Sequence, residues 1–116
     1  MKIPDNTKIQ SADLKVKDLK VSLHFYCELM GFRIISQTED TALLSANGNL
    51  PSMLQLTEDK NAIHKPKGTT GLFHLAIRLP NRAELALVFL RLFSHKIKFQ
   101  GFSDHLVSEA LYLEDP

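Results

Sequence analysis

The stretch LKVKDLKVSLHFYCELMGF, residues 14–32, decides the fold. Leu19, Ser22, Phe25, Tyr26, Leu29 and Met30 recur at spacings of three and four, which puts them on one stripe of a helix. Asp18 is suited to start that helix and Gly31 to stop it in the left-handed conformation, so a helix over about 18–30 is predicted. Upstream, KIQSADLKV at 8–16 alternates in part and suits a strand with one wetted face. Downstream come FRIISQTED, TALLSANG and LPSMLQLTED, three short runs punctuated by Glu39-Asp40 and by the hairpin signal Asn47-Gly48. The first half therefore reads βαβββ.

The same order starts again at GLFHLAIRLPNRAELA, residues 71–86. A strand is followed by Pro80, then by Asn81 with Glu84 three positions on, the pattern of a capping box. Leu85, Val88, Phe89 and Leu92 form the stripe of a second helix that ends near Ser94, and KIKFQG and HLVSEALYL follow as strands. Ile77, Asn81, Phe89 and Leu92 each lie 63 positions after Leu14, Asp18, Tyr26 and Leu29. A constant offset points to a duplicated unit, although two amphipathic helices that each follow a strand match in the same way without duplication. The expected architecture is α+β, one domain of two βαβββ units paired around a cleft: unit one at 8–58, a turn-rich connector at 59–71, and unit two at 72–116 without its last strand.

Composition narrows the function. At 116 residues, 44% of them hydrophobic, a core can form without staples. Fourteen basic against thirteen acidic residues leave no field to draw nucleic acid or an anionic membrane. Residues 1–13 carry no apolar signal core, and the single Cys27 cannot form an internal disulfide. A cytoplasmic protein is expected. Cys27 falls away from the helix stripe and has no neighbouring base, so an inert thiol is expected.

If the two units face each other, equivalent positions line the space between them. Position 11 then pairs with position 74: Ser11 with His74, each near the start of its unit's opening strand. His74 stands between Phe73 and Leu75, so strand alternation turns its imidazole to the other face. A core histidine bonded to backbone gives the same pattern.

Three segments in order, 14–32, 71–86 and SDHLVSEALYLEDP at 103–116, resemble the vicinal oxygen chelate superfamily of glyoxalases, bleomycin-resistance proteins and extradiol dioxygenases. The last segment is most similar to the catechol 2,3-dioxygenase branch. The resemblance implies a divalent metal, Fe(II) or Mn(II), held in the dioxygenases by two histidines and a glutamate. His74 matches one of the histidines. Ser11 occupies the place of the other, and a neutral hydroxyl is a poor ligand; Asp13, two positions on, offers a carboxylate instead. The family's glutamate follows an Asp-Pro turn, and this sequence stops at Asp115-Pro116. The counterpart position in the first unit falls on the LQL strand, where Gln55 is a weak oxygen donor. His105 and Tyr112 resemble the pair that hydrogen-bonds the substrate oxygens, whereas His24, His64 and His95 read as surface groups.

Three functions stay open on these residues. The first is a catechol 2,3-dioxygenase-like or glyoxalase-like enzyme acting on a small aromatic or vicinal-oxygen substrate. The second is a metal-free binding module like the bleomycin-resistance proteins, with Phe73, Phe99, Phe102 and Tyr112 walling the pocket; the third is a structural half of a longer two-domain enzyme. A missing last strand leaves the edge of HLVSEALYL unpaired, and a homodimer through that edge is expected.

Overall fold

Asp18 caps the first helix as its residue type suggests: its side chain accepts from the Val21 N–H at 3.0 Å. A computed structural model describes residues 1–72, 74–104 and 108–116, which divide into two compact units, Met1–Ala62 and Ile63–Pro116.

In unit 1, strand β1 (Ala12–Val16) leads into helix α1 (Leu19–Leu23), which continues as a π-helical segment over His24–Leu29. The wider winding is visible in the Met30 N–H, which donates to the Phe25 carbonyl five residues back at 2.9 Å. The predicted stripe is the buried one: Leu19, Ser22, Phe25, Tyr26 and Leu29 are all buried. Phe25 and Tyr26 meet edge to face at 5.1 Å. Gly31 takes φ 93°, the left-handed stop.

Strands β2 (Arg33–Gln37), β3 (Thr41–Ser45) and β4 (Leu54–Glu58) follow, in the sheet order β1-β4-β3-β2. β1 pairs with β4 in parallel and the other pairs are antiparallel. Ala42, Leu44, Leu54 and Leu56 are buried on one sheet face, and α1 packs against β4. Glu58, the last residue of β4, accepts from the Leu19 N–H at 2.9 Å and so satisfies one of the free donors of the helix start. The Asn47-Gly48 signal does not make the expected two-residue hairpin. Residues 46–53 form a longer loop, because Ser45 Oγ accepts from the Gly48 N–H at 3.0 Å and Asn47 Oδ1 from the Asn49 N–H at 3.0 Å, side-chain turns that displace a tight backbone turn.

In unit 2, helix α2 (Arg82–Ser94) starts at Asn81, whose side chain accepts from the Glu84 N–H at 2.9 Å. Strands β5 (Phe99–Asp104) and β6 (Glu109–Leu113) form an antiparallel two-stranded sheet with a bulge between Phe99 and Gly101. The two helix caps and starts keep the 63-residue offset: Asp18 and Asn81, Leu19 and Arg82. Beyond the helices it drifts, to 66 between Arg33 and Phe99 and to 68 between Thr41 and Glu109.

The strand expected at 71–79 is not formed among the described residues. In unit 1 the opening strand takes its partner from the fourth strand. The described strands of unit 2 are β5 and β6 alone, and neither pairs with residues 74–79.

Candidate functional site

Alternation along β5 and β6 sorts unit 2 into two faces. Phe102 pairs with Leu111 and Asp104 with Glu109, and this face meets α2: Phe89 lies 6.0 Å from Phe102 and 5.2 Å from Phe99, and Arg82 Nε donates to Glu109 Oε2 at 3.0 Å. Gly101 pairs with Tyr112 and Ser103 with Ala110, so Tyr112 stands on the face away from α2. There the His74 ring approaches the Tyr112 ring, with centroids 5.8 Å apart and planes tilted by 56°. Both side chains are exposed.

Tyr112 therefore does not share a pocket wall with Phe99 and Phe102, as the sequence suggested. Residues 102 and 112 belong to successive ladder pairs, and successive pairs point to opposite faces; the bulge then carries Phe99 to the helix side as well. Two residues beside Tyr112 were not legible. A Cβ at Gly101 would meet nothing within 4 Å, which leaves open space next to the phenol. The Ser103 hydroxyl is buried and has no hydrogen-bond partner among the described residues. Only the ladder register reveals either one.

In unit 1 the ladder places Asp13 opposite Gln55, Gln55 opposite Leu43, and Leu43 opposite Ser36, a row on the sheet face away from the buried leucines. Ser11, exposed and just ahead of β1, precedes Asp13 by one period of the alternation. Gln55 is half-buried on a central strand, with Nε2 3.4 Å from Thr57 Oγ1. An open depression of about 550 Å³ in this unit lies elsewhere, lined by Thr38, Glu39, Asp40, Glu58, Asp59 and Lys60. Three of its carboxylates have structural work: Glu58 holds the Leu19 N–H, Asp40 accepts from the Thr38 and Thr41 hydroxyls, and Asp59 pairs with Lys15 at 3.6 Å.

His105 and Phe73 lie outside the described residues. Among the described ones no group of three or more His, Cys, Asp and Glu side chains gathers as a metal site would require. His74 is one imidazole, and Gln55 and Ser11 are neutral oxygen donors. Neither the two neutral donors of unit 1 nor the single imidazole of unit 2 by itself fits a ferrous or manganous centre, which draws on anionic or imidazole ligands in number.

Cys27 is shielded rather than activated. Burial, and after it the carboxylate of Glu28, pushes its thiol pKa up. Iodoacetamide at pH 8 should therefore alkylate Cys27 roughly three- to tenfold more slowly than free cysteine, read by mass spectrometry. Glu28→Gln should restore only the smaller part. A rate at or above that of free cysteine contradicts the shielding.

The family model described as Glyoxalase/Bleomycin resistance protein/Dioxygenase superfamily matches residues 8–116. The chain belongs to this superfamily. Within it, a catechol-2,3-dioxygenase of Bacillus subtilis (strain 168) is 44% identical over 115 residues, which cover 98% of this chain. The chain spans 40% of that relative's length. Solved superfamily structures share the fold at low identity. A glyoxalase/dioxygenase from Nostoc punctiforme superimposes with TM-score 0.81 at 18% identity, covering 100% of this chain and 89% of its own. A lactoylglutathione lyase from Agrobacterium tumefaciens gives 0.72 at 16%, covering 97% and 89%. None of the helices among the described residues is long and apolar enough to cross a membrane.

Proposed function

We propose that this superfamily domain binds a small vicinal-oxygen ligand of the catechol type, with His74 and Tyr112 on its two oxygens. The observation that carries this reading is the His74–Tyr112 ring contact on the sheet face away from α2. An imidazole nitrogen accepts a proton from one catechol hydroxyl while the phenol O–H donates to the neighbouring oxygen. The space beside Gly101 gives the ring room, and the Ser103 hydroxyl is a third polar group on that face. Similarity to a catechol-2,3-dioxygenase supports the substrate class. Oxidative ring cleavage with Fe(II) or Mn(II) is the dioxygenase-like form of the same proposal, supported by the similarity to a catechol-2,3-dioxygenase and not by a ligand cluster among the described residues. The setting proposed is the cytoplasm.

A second reading, a metal-free binding module, is favoured by the donor set: Ser11 stands where a ligand histidine is expected, and no acid or histidine cluster completes the site among the described residues. Calorimetry with catechol, before and after ferrous or manganous loading and dialysis, separates the two. Binding that falls about tenfold in both His74→Ala and Tyr112→Phe supports the shared ligand site. About one metal per chain by elemental analysis, lost in His74→Ala, selects the dioxygenase-like reading. Binding without retained metal selects the module. A chain that binds catechol in neither condition overturns both.

A further inference from the structure

Charge is nearly balanced over the whole chain but not along it. Between Glu84 and Asp104 the sequence has no acidic residue, while Arg91, His95, Lys96 and Lys98 all fall there. That segment is most of α2, its exit turn and most of β5. Lys96 makes the exit in the left-handed conformation, φ 58°, with its N–H donating to the Phe93 carbonyl at 2.9 Å. Lys96 and Lys98 are exposed and stand in none of the ion pairs among the described residues. The helix ahead of them is apolar on its outer side as well as its inner one. Ala83, Ala86, Leu87, Leu90, Phe93 and Ser94 share an arc of about 120° at 3.6 residues per turn, and none is charged. Leu87, Leu90 and Phe93 are 54%, 58% and 65% exposed. An exposed apolar row of this kind marks a surface that something covers.

We propose that this side of unit 2 rests on an anionic lipid surface, with α2 lying in the plane of the layer. Leu87, Leu90 and Phe93 enter the boundary of headgroups and acyl chains, and Lys96 and Lys98 meet the lipid phosphates beside the carboxyl end of the helix. The lysine stems are long enough to keep the ammonium groups among the headgroups while the leucines sink deeper. At 13 residues α2 lies on the layer and does not cross it. Charge of one sign selects this occupant. A second copy would set this acid-free segment against the same segment and leave the lysines facing lysines, whereas an anionic bilayer offers countercharge at every position along an apolar interior. Tyr112 stands on the sheet face away from α2, so a membrane under α2 leaves the His74–Tyr112 face open. The proposal is independent of what that face binds.

Co-sedimentation of the full chain with phosphatidylcholine vesicles, with and without about 30% phosphatidylglycerol, tests it. The chain should bind the anionic vesicles at least about tenfold better than the neutral ones, and raising salt from about 0.1 M to about 0.5 M should remove most of that difference. Lys96→Gly with Lys98→Gln should weaken binding about 25-fold, or about fivefold for each charge. Glycine is at ease at the φ of Lys96, so this variant keeps its fold, which circular dichroism checks. Leu87→Ser with Leu90→Ser should weaken binding at least about tenfold with the charge intact. Equal binding to the two vesicle compositions overturns the proposal, and so does binding that ignores either variant. A chain that binds neither composition overturns it as well, and sedimentation velocity then shows whether a second copy takes the face instead.

Discussion

Leu56→Ala is expected to destabilise unit 1 by about 3 to 4 kcal/mol. Leu56 is fully buried on β4, the strand between β1 and β3, with Leu14 and Ala42 as its ladder neighbours. Truncation removes apolar burial and leaves a hole, and a sheet hydrogen-bonded on both sides of Leu56 relaxes little to fill it. Urea unfolding followed by far-UV circular dichroism measures the loss as a fall in midpoint at unchanged slope. A loss below about 1 kcal/mol would show that the helix stripe does not close on this face.

The two units should also part company in hydrogen exchange. Every buried apolar side chain among the described residues lies in unit 1, apart from Leu92. Unit 2 rests on a two-stranded sheet and on the ring cluster of Phe89, Phe93, Phe99 and Phe102, in which Phe93 and Phe102 remain mostly exposed. Two strands and a helix with so little burial open far more readily than a four-stranded sheet under a helix. Amides of β3 and β4 are therefore expected to exchange at least about 1,000-fold more slowly than those of β5 and β6, read by mass spectrometry of peptic fragments. Equal protection would mean that the chain opens as one cooperative body.

Local chemistry was readable where one segment carries its own instruction. Asp18 and Asn81 cap the helices because a short acceptor side chain before an apolar stripe has few other uses, and Gly31 stops the first helix through its positive φ. What depended on pairing was not readable. The strand expected at 71–79 has the alternation but, among the described residues, no ladder partner, and Asn47-Gly48 is overridden by the Ser45 and Asn47 side chains. The candidate site divides along the same line. His74 and Tyr112 were picked out singly, and their rings meet. The separation of Phe99 and Phe102 from Tyr112, and the presence of Gly101 and Ser103 beside it, follow from a ladder register shifted by a bulge, which no periodicity announces. The π-helical winding of His24–Leu29 likewise leaves the stripe unchanged and so left no mark in the spacing.

The parallel pairing of β1 with β4 sets an order of assembly during translation. Ala12 finds its ladder partner at Leu54, 42 positions later, whereas Gln37 and Ala42 pair across a short turn. As the chain emerges from the ribosome, the β2–β3 hairpin has all it needs early, while β1 must wait, extended and half-apolar, until β4 has been synthesised and has cleared the exit tunnel. The nascent amino-terminal strand is thus the last piece of its sheet to be claimed, and the stretch most exposed to holdase chaperones in the interval.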